Sequence, residues 1–236
     1  MTGTAHSAGG REPRCVALAQ EHRGHGVSTA AYYLGRALVE RGFHVLLGDL
    51  SQRPSTLARL AAQEPVKNLV AWTPQPVHPS DLTRTLRGAR QRTAGVADVL
   101  LLDADAALVE QGGGSGAGID YVLLFVEHTE QGQRSAVRLV KRLGGGEGTR
   151  RRIGVVFCRV DVPAADDLPQ RLEGDIPVLG WLPADYLLAA GEAYSFKGGS
   201  PARPHQAYMS ALARMAQTLV RVVPLQRVDT PQARSG

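Results

Sequence analysis

CVALAQEHRGHGVSTAAYYLGRALVERGFHVLLGDL, residues 15–50, decides the reading of this chain. CVALAQ (15–20) is short, apolar and followed by a glycine-containing turn, which predicts a buried strand. From Ser28 to Arg41 the apolar residues Ala31, Leu34, Ala37 and Leu38 recur at helical spacing. Gly42 stands where a helix-ending glycine belongs. FHVLLGDL (43–50) is a second apolar run. A strand, a glycine-bearing loop, a helix and a strand in that order make a β-α-β unit, and a loop of this kind at a helix start suits an anion.

The same alternation continues outward. A helix over 55–63, a short strand at 68–72 and a helix over 80–92 lead to VADVLLLDAD (96–105), a third clear strand. After a loop containing QGGGSGAG come IDYVLLFVE (119–127), a helix over 130–143, RIGVVFCRVD (152–161) and IPVLGWLP (176–183). A last helix runs over 204–222. Continuous apolar strands alternating with helices predict an α/β fold with a mostly parallel central sheet covered on both faces. Ligands of such sheets bind at the carboxyl ends of the strands. The expected division is a disordered segment at 1–13, one domain over 14–223 and a flexible tail at 224–236.

The chain has 236 residues, of which 43% are hydrophobic and 21% charged, ordinary for a globular protein. No apolar run approaches the ~20 residues a membrane span needs, and MTGTAHSAGGREPR does not read as a signal peptide. Cys15 and Cys158 lie inside strand-like runs, a reduced and buried pattern that points to the cytoplasm. Net charge is +5 and the pI about 9.6, a balance that favours polyanions and that an arginine-rich composition alone also produces.

Residues 22–29, His-Arg-Gly-His-Gly-Val-Ser-Thr, resemble the deviant Walker A loop of the ParA/MinD ATPases, K-G-G-x-G-K-[ST]-[ST]. AAYYLGRALVERGFHVLLGDLSQ resembles that family's ANLAxALAxxGxxVLLIDxDxQ, and VADVLLLDAD its Walker B strand. GVVFCRVD is similar to GVVLNRVD near its base site. The resemblance runs over about 14–222 and implies a P-loop NTPase fold. It implies that Gly24, Gly26, Ser28 and Thr29 cradle phosphates, with Ser28 and Asp103 holding Mg²⁺ and Asp49 helping to position the attacking water. His22, Arg23, His25, Val27 and Cys158 also fall at nucleotide-contacting positions, all but His25 as departures. Val27 replaces the lysine that reaches the β- and γ-phosphates. His22 replaces the lysine that crosses a dimer, Arg23 a glycine, Ser51 an acid and Cys158 an asparagine. Losing a charge-assisted contact to a desolvated phosphate costs about 2–5 kcal/mol.

These residues also have plainer readings. Asp49 and Asp103 are what hydrogen-bonded strand ends look like, and His22 and His25 fit a solvated loop. Val27, read as solvent-facing, has little packing to lose. The expectation is a partition or positioning protein with weak or absent ATP hydrolysis, ATP and Mg²⁺ as its cofactors, a homodimeric state and a protein partner. Two alternatives stay open: a working partition ATPase, and a dinucleotide-binding enzyme using Gly24, Gly26 and Asp49. Arg134, Arg138, Lys141 and Arg142 share one helical face and, with Arg150, Arg151 and Arg152, offer non-specific DNA contacts; a solvated face reads the same. Tyr208, Leu212, Met215 and Leu219 line one side of the last helix and read as core rather than as a membrane anchor.

Overall fold

The computed structural model describes residues 11–20, 26–50, 56–74, 76–113, 117–144, 152–160, 168–184 and 206–227. Its strands are β1 (Arg14–Gln20), β2 (Val45–Asp49), β3 (Leu69–Trp72), β4 (Val99–Asp105), β5 (Tyr121–Glu127), β6 (Ile153–Val160), β7 (Arg171–Leu172) and β8 (Ile176–Pro183). The helices are α1 (Val27–Val39), α2 (Thr56–Gln63), α3 (Leu82–Thr93), α4 (Ala106–Gln111), α5 (Glu130–Arg142) and α6 (Gln206–Val222).

The sheet has eight strands in the order β3-β2-β4-β1-β5-β6-β8-β7. All neighbours pair in parallel except β7 with β8. This order removes the dinucleotide-fold alternative, in which the first two strands are adjacent; here β4 stands between β2 and β1. The chain moves from β1 out to β3, returns to β4, then crosses to β5 on the other side of β1. That reversal opens a crevice at the carboxyl end of β1, where the 22–29 loop starts.

Strand residues alternate between two cores. Val16, Leu18, Leu47 and Leu101 pack with α1, α2 and α6 on one face. Ala17, Ala19, Leu100 and Leu102 pack with α3, α4 and α5 on the other. Tyr208, Leu212, Met215 and Leu219 are all buried in the first core. They hold α6 against the sheet, as their helical spacing implies. Among the described residues no helix is long and apolar enough to cross a membrane.

α1 is buried on most of its surface, from Val27 to Leu38. Its small residues let it sit low on the sheet. A Cβ on Gly35 would come within 2.8 Å of Leu69 Cδ1 and 3.1 Å of Leu47 Cδ2. The Tyr32 hydroxyl donates to the Glu64 carbonyl and Arg36 pairs with Glu64 at 2.6 Å, tying α1 to the end of α2. This seating fixes the height at which the start of α1 meets the strand ends.

Several expectations are corrected. α4 occupies residues read as loop, and β7 adds an antiparallel edge. Described residues flanking 14–223 also make contacts with the fold. Leu225 is buried, and Arg227 donates to the Arg41 carbonyl at 2.6 Å while lying over the Phe43 ring. At the other end the Arg11 carbonyl accepts from Gly95 N–H at 3.0 Å, and Glu12 pairs with Arg90 at 3.3 Å. Both cysteines are free and buried, as their strand settings imply.

Candidate functional site

α1 begins on Gly26, whose φ of +74° is the left-handed conformation glycine adopts without strain. A Cβ there would meet nothing within 4 Å, so conformation rather than space calls for glycine. The Gly26 carbonyl accepts from Ala30 N–H at 2.8 Å and starts the helix. Among the described residues no side chain caps this end and no acid lies in the first turn, so the positive end of the helix dipole is left to face the crevice. His22, Arg23, Gly24 and His25 lie outside the described residues, as does Ser51.

Val27 is 1% exposed and belongs to the α1-side core. The solvent-facing placement expected from sequence is therefore wrong. Because α1 is wedged between α2, α6 and the sheet, even its first residue enters the packing.

Ser28, one residue on and half-buried, donates its hydroxyl to the Asp103 carboxylate. Asp103 stands opposite Asp49 in the β2–β4 register, and both are 2% exposed. Period-2 alternation turns both toward α1, since Leu47 and Leu101, two residues earlier, lie in the α1-side core. Asp105 follows on the same face, opposite Gln20 in the β1–β4 register. It escaped the sequence reading, although the D-x-D spacing at the end of VLLLDAD carries the signal. Burial pushes the Asp103 carboxyl up from its ordinary 3.8 to about 6. The Ser28 hydrogen bond opposes that rise, and the charges of Asp49 and Asp105 add to it. One oxygen, Asp103 Oδ2, is buried with no hydrogen-bond partner among the described residues.

Cys158 lies elsewhere, near the end of β6 and two strands from β1. It is buried, its thiol is pushed up to about 12 chiefly by burial, and its S–H donates to the Val156 carbonyl at 3.9 Å. A neutral thiol engaged with its own strand cannot offer the donor and acceptor pair of an amide. Arg159 follows at φ +57° and pairs with Glu127 at 3.2 Å.

On α5, Arg134 pairs with Glu130, and Arg142 forms a two-bond pair with Glu110 of α4. Arg138, Lys141 and, at the start of β6, Arg152 are exposed. Arg150 and Arg151 lie outside the described residues.

What can this crevice hold? A hydroxyl bonded to a buried carboxylate, a second buried carboxylate alongside and an orphaned carboxylate oxygen are hard oxygen donors suited to Mg²⁺. Among the described residues no three His, Cys, Asp or Glu side chains converge into a protein-only metal cage. A magnesium ion here would therefore keep several waters and rely on a phosphate. The backbone of Gly26, Val27 and Ser28 can supply N–H groups to that phosphate. Among the described residues no ammonium stands beside it, because Val27 is part of the core.

Asp103 makes a direct prediction. Its native carboxyl holds a proton more tightly than the unfolded one, so its contribution to stability is complete below pH 3.8 and is lost as pH rises through about 6. At neutral pH the buried charge costs on the order of 2–3 kcal/mol. Asp103→Asn should raise stability in urea titrations above pH 6 without metal, and the gain should vanish below pH 4. A loss of stability at neutral pH would mean that the charge holds the fold together.

No family model matches the chain, and no curated protein matches its sequence. Solved structures do. A chain of the MinC:MinD cell division protein complex of Aquifex aeolicus superposes with a TM-score of 0.60 at 18% identity, over 91% of this chain and 99% of that one. The septum site-determining protein MinD of Pyrococcus horikoshii, complexed with Mg-ADP, gives 0.62 at 16% identity, over 88% and 96%. A ParA family ATPase from Chlorobium tepidum gives 0.61 at 17%, over 87% and 98%. With its mostly parallel eight-stranded sheet and a helix starting on Gly26 beside two buried strand-end aspartates, the chain has the P-loop fold of the MinD and ParA ATPases.

Proposed function

We propose that this chain is a ParA/MinD-like partition or positioning protein whose ATP hydrolysis is weak or absent. It would act as a dimer with a protein partner, in the cytoplasm, to segregate or localise DNA or a cell-envelope machine. One observation carries the reading: Ser28 is bonded to buried Asp103 beside Asp49, while the lysine position next to Ser28 is a core valine. This pairing supports a site in which the metal-holding oxygens are kept and the loop lysine is replaced.

In this reading Ser28 and Asp103 hold Mg²⁺, Asp49 lies close enough to orient water, and backbone amides from Gly26 onward accept the phosphates. Bound Mg²⁺ would supply the positive charge on the β- and γ-phosphates that a loop lysine otherwise shares. Retained backbone cradling with a lost ammonium fits binding better than turnover, because the missing contact matters most where charge develops. Solved relatives in fold include a MinD with Mg-ADP and a MinC:MinD complex; those ligands and partners support the reading by analogy. DNA is the weaker partner assignment, since Arg134 and Arg142 already hold carboxylates.

Calorimetric titration with ATP and ADP in the presence of Mg²⁺ tests this directly. Wild type should bind weakly. Val27→Lys should lose about 1.5–3 kcal/mol of stability without nucleotide, because a buried valine is replaced. It should nevertheless gain at least about tenfold in Mg-ATP affinity, the low end of a charge-assisted phosphate contact. A folded Val27→Lys protein that binds no better than wild type would remove the phosphate-cradling role. Light scattering should give the same mass with and without Mg-ATP, because His22 stands where the dimer-crossing lysine would be. A dimer appearing only with ATP would contradict the pseudo-ATPase assignment.

A further inference from the structure

At the carboxyl ends of β1 and β4, three side chains bring oxygen acceptors to one face of the sheet. The Gln20 amide oxygen is buried, and no described residue donates to it. Asp103 Oδ2 is buried in the same condition. Asp105 completes the set. It immediately precedes α4, where an aspartate usually turns its carboxylate onto the free N–H groups of the first turn. Its side chain makes no such bond.

Pairing and alternation bring the three together. Gln20 stands opposite Asp105 in the β1–β4 register, on strands about 4.8 Å apart. Val16 and Leu18 enter the α1-side core, so Gln20 follows them onto that face, as Asp103 and Asp105 follow Leu101. The charge of Asp105 acts on Asp103, which sets the two carboxylates in one electrostatic neighbourhood. Buried acceptors without donors are unfavourable, and a bare anion would only add repulsion. What answers them is a donor that carries positive charge, and a hydrated divalent cation is one, because its bound waters turn their hydrogens outward.

We infer that Asp105 and Gln20 are positioning residues for the metal, accepting hydrogen bonds from water on a divalent ion held by Ser28 and Asp103. The inference rests on the proposed reading of the Ser28–Asp103 site. Asp105 acts through water rather than as a direct ligand, because no three acidic side chains among the described residues converge on one ion. Magnesium keeps several of its waters when few carboxylates bind it, and a bridging water holds nearly as well as a direct hydrogen bond. Asp105 and Gln20 thus help retain a cation in a crevice where Val27 has taken the place of a lysine.

The test titrates Mn²⁺ and ADP with the full chain, reads binding from the broadened Mn²⁺ paramagnetic resonance signal, and follows urea unfolding of each variant without metal. Gln20→Leu and Asp105→Ala should each weaken Mn²⁺ binding about tenfold, the low end for groups that act on a metal through its ligands. Gln20→Leu should be as stable as wild type or more so, because it removes an unsatisfied buried acceptor. Gln20→Glu, which keeps an oxygen at that place, should bind Mn²⁺ more tightly than Gln20→Leu. Glu130→Gln, which removes a charge from exposed α5, should leave the affinity unchanged. Unchanged affinity in Gln20→Leu or Asp105→Ala, while Asp103→Asn abolishes binding, would overturn this inference and leave the Ser28–Asp103 site standing. A Gln20→Leu protein less stable than wild type would mark Gln20 as structural support and also overturn it. Failure of the wild type to bind Mn²⁺ with ADP would overturn both this inference and the reading beneath it.

Discussion

The hydrogen bond from Ser28 to Asp103 joins the start of a helix to the end of a strand, and the crevice takes its form from that contact. Two aspartates on adjacent strands are almost fully buried there. Burying carboxylates without cations is costly, and the hydroxyl only partly offsets it, as the raised Asp103 value shows. Parallel pairing of β2 with β4 holds the acids side by side, and the low seating of α1 on Gly35 brings Ser28 to them. In the proposed reading a bound cation would offset that cost at Asp103.

Val27 gives the crevice its other property. A lysine at this place would carry charge toward phosphate; the valine instead extends the α1-side core to the first residue of the helix. In the proposed reading, stability and phosphate affinity would pull in opposite directions at this position. The chain combines packing at Val27 with retained oxygen donors at Ser28, Asp49 and Asp103, a combination suited to holding a metal-bound phosphate loosely.

Much of this architecture is legible in the residues, for physical reasons. Strands buried on both faces must be apolar throughout, so β1, β4, β5 and β6 announce themselves as runs. α1 declares its period and its stop at Gly42. α4 does not, because six residues ahead of a glycine-rich stretch are too few to show periodicity. β7 pairs through only two residues and has no pattern to read. The burial of Val27 is a tertiary effect, set by α2 and α6 closing around α1, and local spacing cannot reveal it. Asp105 was within reach, since alternation alone places it on the face of Asp103. The strand order, which excludes the dinucleotide fold, depends on β4 inserting between β2 and β1, and no local signal encodes that.

The claim that this crevice holds a metal-bound phosphate through Ser28 and Asp103 is tested most directly by electron paramagnetic resonance of Mn²⁺ with ADP. We expect the wild-type protein to broaden the Mn²⁺ signal in an ADP-dependent way, and Ser28→Ala and Asp103→Asn each to abolish that broadening while remaining folded. Identical spectra from wild type and both variants would contradict it.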